Sequence, residues 1–181
     1  SFDVDSEEYC PDRLLESYRR VGINAIYTQA VLYMLSEFPF DKTQSAGYEK
    51  RLANLKKLTE RCAKYGIKVF LYLNEPRSMN KAFFDAHPHL KGHTEDDDHI
   101  CLCTSVKEVR DYISDAVETI CRNAPLLGGF FCMAMSENLS NCYSHVRTSE
   151  ACTCPRCKKR SIGEVVGEFF GAVREGADRV N

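Results

Sequence analysis

Short apolar runs that alternate with amphipathic helical segments constrain this chain more than any other feature it has. Ile23–Val31, Ile67–Leu73 and Phe130–Met135 are rich in β-branched and aromatic residues and read as strands. Asp12–Arg20, Glu49–Tyr65, Val106–Ile120 and Ser161–Arg179 repeat their apolar residues at helical spacing, as Leu52, Leu55, Leu58 and Cys62 do. The order is helix, strand, helix, strand, helix, strand, helix. Because the strands are apolar along their length, they are expected to be buried on both faces, in a parallel sheet covered by helices.

Two architectures satisfy that order, an open doubly wound sheet and a (β/α)8 barrel. No glycine-rich phosphate loop follows any of the strands. Polar residues gather instead at the C-terminal strand ends: Thr28 and Gln29, Asn74 and Glu75, Ser136 to Asn138. Barrels assemble their active sites at those ends. The expected fold is α/β, a partial (β/α)8 TIM barrel of about its first half, with parallel strands and covering helices. A whole barrel takes roughly 250 residues, and the chain has 181. Residues 1–181 are read as a single domain, the N-terminal part of a TIM-barrel catalytic domain with a Cys-rich loop at 138–160. Such a piece is expected to be inactive alone.

Charge narrows the partners. The formal net charge is -2 and no basic patch stands out, so no nucleic-acid partner is expected. No apolar stretch is long enough to span a bilayer, and the acidic N-terminus is not a signal peptide. A soluble chain is expected, with cytoplasm and periplasm both open. The acidic run Glu95–Asp98 reads as a solvated loop.

Ten cysteines are many for this length. Cys62, Cys121 and Cys132 fall on apolar stripes or strands, where a thiol behaves as a small hydrophobe. Cys142, His145, Cys152, Cys154 and Cys157 crowd into one loop with the spacing C-x2-H, then C-x-C-x2-C. Cys154 and Cys157, with Pro155 between them, resemble a zinc knuckle, and Cys142 and His145 complete a tetrahedral set for a structural Zn²⁺, with Cys152 as an alternative ligand. Disulfides and free thiols are the competing readings. No organic cofactor is expected.

Glu75 and Glu137 each follow an apolar strand, which in a parallel barrel puts both on one rim. Paired carboxylates there suit glycosidic cleavage, one as acid and the other as nucleophile, base or charge stabiliser. Asn138, Asn74, Gln29, Tyr27, Tyr33 and Arg77 are candidate sugar contacts, since aromatic faces and planar hydrogen-bonding groups match pyranose rings.

The segments Leu71–Arg77, Leu102–Ser105, Ser136–Cys142 and Cys154–Cys157 together resemble bacterial proteins related to glycoside hydrolase family 20, the β-N-acetylhexosaminidase-like barrels. The resemblance runs from Pro11 to Val180 and is strongest after residue 100. It implies a (β/α)8 barrel whose fourth strand ends in the general acid Glu, here Glu137, and an oligosaccharide or glycoside substrate. It also implies an Asp directly before that Glu, where this chain has Ser136. A hydroxyl cannot supply that negative charge. Either a second carboxylate such as Glu75 takes the role, or the substrate is another glycoside. A non-catalytic sugar-binding barrel and a zinc-stabilised interaction module remain the alternatives.

Overall fold

The computed structural model describes residues 2–135, 137–146 and 148–180. In chain order, α1 (Ser6–Tyr9) and α2 (Asp12–Arg20) precede β1 (Ala25–Ala30), α3 (Leu32–Leu35) and α4 (Tyr48–Lys64). Then come β2 (Lys68–Leu73), α5 (Lys81–Ala86), β3 (Lys91–Thr94) and β4 (Ile100–Leu102). The chain continues through α6 (Lys107–Asn123) and β5 (Leu127–Cys132) to α7 (Ile162–Asp178). Two compact units result: Ser1–Leu73 with Glu118–Phe131, and Asn74–Val117 with Cys132–Asn181.

The first unit holds a three-stranded parallel sheet in the order β1-β2-β5. β1 and β2 pair from Ala25↔Lys68 to Ala30↔Leu73. The α4 stripe of Leu52, Leu55, Leu58 and Cys62 is buried, and α4 packs against β2, α1 and α3. Burial pushes the Cys62 thiol up to about 11, consistent with its part as an apolar filler. Both α2 and α4 end in the same glycine motif. Gly22 and Gly66 take φ of 82° and 71°. Ile23 N–H donates to Tyr18 O and Ile67 N–H to Cys62 O, each at 3.0 Å, which satisfies carbonyls the helix leaves open. These turns deliver the chain straight into β1 and β2.

The α/β class with parallel strands and helices between them stands, and the sheet is open among the described residues. Two expectations change. The strands are not buried on both faces. Val69, Leu71 and Leu73 are covered, but Tyr27 is 71% and Phe131 52% exposed on the other side. Their rings form a cluster with Tyr72 at centroid distances of 5.5 to 6.3 Å. Second, β5 begins at Leu127 and takes in Gly128 and Gly129. The Phe70 ring of β2 lies over these glycines, and a Cβ on Gly128 would come within 2.8 Å of it. Met133 to Met135 lie past the strand, and Met135 is exposed.

In the second unit, β3 and β4 form an antiparallel pair around the acidic turn. Asp96 Oδ1 accepts the amides of Asp98 and His99, both at 2.9 Å, so part of the acidic run shapes the turn. α7 opens with a capping box, Ser161 to Glu164. Its far end lies close against α6: a Cβ on Gly176 would sit 2.3 Å from Ser114 O, and Ser114 Oγ donates to Ala172 O at 3.0 Å.

Leu55 is fully buried on α4, so Leu55→Ala should lower unfolding free energy by about 2–5 kcal/mol. The exposed Glu60→Ala on the same helix should stay within about 0.5 kcal/mol. Urea unfolding of the two variants checks both values.

Candidate metal centre

Cys103 follows β4, Cys142 lies in the segment beyond β5, and Cys154 and Cys157 flank the turn that leads toward α7. Their four thiols lie within 4.8 Å of one another and all four residues are buried. Cys103 Sγ is 3.7 Å from Cys154 Sγ and 3.5 Å from Cys157 Sγ. Zinc–sulfur bonds of about 2.3 Å in a tetrahedron place sulfurs about 3.8 Å apart, so these edges are nearly those of a loaded site. All ten cysteines are free thiols in this structure.

The surroundings suit a buried anionic cluster. Arg156 Nε donates to Cys103 Sγ at 3.5 Å, while its Nη2 donates to Lys91 O. The Ser105 hydroxyl is 3.3 Å from Cys157 Sγ. Arg160 Nη1 reaches both Ser105 Oγ and Glu168 Oε1 at 2.6 Å, which ties α7 to the cluster. Leu139, Tyr143, Cys152 and Val165 close the site against water. Tyr143 OH donates to Cys157 O at 2.9 Å.

The thiols hydrogen-bond among themselves, and the bonds sort them by acidity. Cys103 is lowered to about 6, chiefly by its bond with Cys142. Cys154 is also lowered, chiefly through Cys103, whereas Cys142 and Cys157 are raised by their sulfur neighbours, Cys101 and Cys103 first. Packed this closely, the sulfurs share protons unless a cation replaces them. Four thiolates around a divalent ion carry a net charge of about -2, which Arg156 and the Ser105 hydroxyl partly offset.

Of the five loop residues expected to bind metal, Cys142, Cys154 and Cys157 come together and His145 and Cys152 stay outside the set. His145 instead pairs with Glu95 through Nδ1. Cys152 is buried beside the cluster. Cys103 takes the fourth corner. Its signal was in the sequence: Cys101-Leu102-Cys103 has the same C-x-C spacing as Cys152-Thr153-Cys154.

The two carboxylates have opposite surroundings. Glu75 is 1% exposed and its Oε2 accepts the Arg77 amide at 3.0 Å. Glu137 is exposed. Its segment is gathered onto the Ala134 carbonyl, which accepts from Ser140 Oγ at 3.0 Å, Ser144 Oγ at 3.3 Å and Asn141 Nδ2. Among the sugar-contact candidates, Asn74 is buried, Asn138, Tyr33 and Arg77 are half-buried, and Gln29 and Tyr27 are exposed on β1. Ser136 lies outside the described residues. No helix among the described residues is long and apolar enough to cross a membrane.

Cys103→Ser should abolish stoichiometric metal binding, whereas His145→Ala should retain it, as read by elemental analysis after gel filtration. Removing the metal with a chelator should lower the melting temperature by on the order of 10 °C, since ligand binding to such sites is itself folding energy. Compared with protein-family models and with curated proteins, the sequence matches none.

Proposed function

We propose that this chain is a zinc-stabilised α/β scaffold for glycoside chemistry, in which Cys103, Cys142, Cys154 and Cys157 hold a structural Zn²⁺ and fix the segment that presents Glu137. The observation that carries this reading is the set of four buried thiols within 4.8 Å of one another. Soft thiolates in a tetrahedral set select Zn²⁺ or iron. A site closed by four protein ligands leaves no position for substrate, so the metal's part is structural.

Cys142 is five positions after Glu137, and two of the side chains that bond Ala134 O, Ser140 and Asn141, lie between them in the chain. Glu137 would then act as general acid, protonating the leaving oxygen of an oligosaccharide or glycoside beside Asn138. The wider proposal is that the β1-β2-β5 sheet belongs to a (β/α)8 barrel of the family the sequence resembles. Parallel strands with helices between them support it, as does an aromatic sheet face left uncovered.

Glu75 favours a second reading. Its carboxyl is buried and accepts the Arg77 amide, so the group does not stand open at that position. A sugar-binding scaffold without turnover fits that observation.

In a full-length protein that completes the barrel, Glu137→Gln should reduce kcat on glycosides with poor leaving groups by about 10²–10⁴-fold. Unchanged turnover removes the general-acid role. Sugar binding in calorimetry with no hydrolysis by that unmutated full-length protein decides for the second reading.

A further inference from the structure

The sulfur cluster contains a fifth thiol that the metal does not use. Cys101 Sγ lies 3.4 Å from Cys142 Sγ, closer than the 3.5 and 3.7 Å contacts Cys103 makes within the four-sulfur set. Cys101 lies on β4 and Cys103 one residue past its end, and both thiols meet the cluster. On β3, Gly92 leaves the room for this meeting: a Cβ there would be 2.5 Å from Cys101 Sγ and 2.8 Å from Cys142 Sγ. The next amide, His93 N–H, donates to Cys101 Sγ at 3.1 Å and holds it in place. Cys142 therefore faces two partners, the metal and a thiol.

We propose that Cys101 is a resolving thiol, and that loss of the metal lets Cys101 and Cys142 close a disulfide with a small-molecule disulfide of the oxidised-glutathione type as oxidant. The proposal rests on the metal reading above. In the loaded site the Cys142 sulfur is committed to the ion, and both cysteines are fully buried, so the oxidant has neither a free nucleophile nor access. Once the ion leaves, the segment carrying Cys142 can open. The Cys142 thiolate then attacks one sulfur of the small disulfide, forming a mixed disulfide and releasing one small thiol. The Cys101 thiolate attacks Cys142 Sγ and releases the second. Two cysteine thiols are oxidised, one small disulfide is reduced to two thiols, and the two cysteine protons end on those products. Closing the bond needs an approach of about 1.4 Å from the present 3.4 Å.

The test uses the whole chain, loaded with zinc and then treated with oxidised glutathione, with and without EDTA. Remaining thiols are alkylated and the disulfides mapped by mass spectrometry without reduction. The Cys101–Cys142 linkage should be the most abundant after EDTA and absent from the loaded protein. Cys101→Ser should keep its zinc and lose this linkage. A dominant Cys154–Cys157 or Cys103–Cys157 linkage, thiols that stay free after EDTA, or loss of zinc from Cys101→Ser would each overturn the proposal. Metal content and linkage are read separately. A chain without zinc overturns the metal reading, whereas zinc bound with a different sulfur pair overturns this one.

Discussion

The convergence of Cys103, Cys142, Cys154 and Cys157 is the constraint on which the second unit depends. Among the described residues between β5 and α7, the only regular element is the single 3-10 turn Cys157–Lys159. A stretch so poor in backbone ladders has to be ordered by side chains. Leu139 and Tyr143 contribute apolar burial, and the sulfurs join the end of β4 to segments about 40 and 50 residues later. A metal crosslink between such distant points would remove much of the freedom of the open chain. It would also resolve an electrostatic difficulty, because closely packed thiols otherwise compete for protons.

The same cluster organises what lies around it. Through Ser105, Arg160 and Glu168 it is joined to the first half of α7, and α7 is held at its other end by the close approach of Gly176 to Ser114. A helix anchored at both ends has little room to adjust, so strain at the cluster would pass along α7 before it dissipates.

Local chemistry made much of the first unit legible. The α4 stripe, the glycine ends of α2 and α4, and the strands they feed are all nearest-neighbour features, written within a few residues of one another. What escaped reading was non-local. Lys91–Thr94 is polar and too short to announce a strand; it exists because β4 pairs with it. The early start of β5 depends on a ring from β2. Spacing alone offered His145 as a ligand, yet Glu95, 50 residues away, engages its ring. Cys103 is separated from the other three by a helix and a strand, so only its C-x-C spacing could have placed it. The two carboxylates show the same limit: both end an apolar run, and only burial separates Glu75 from Glu137.

The Ala134 carbonyl, with its three side-chain donors, has a consequence for how this segment tolerates change. The acceptor is a main-chain atom, so nearly any residue at position 134 presents it equally well. The donors are side chains, and none of Ser140, Asn141 and Ser144 has an apolar substitute that could take its place. Information about the shape of the loop is thus stored entirely on one side of the contact. A sequence drifting through this region would be free at the hub and held at its spokes.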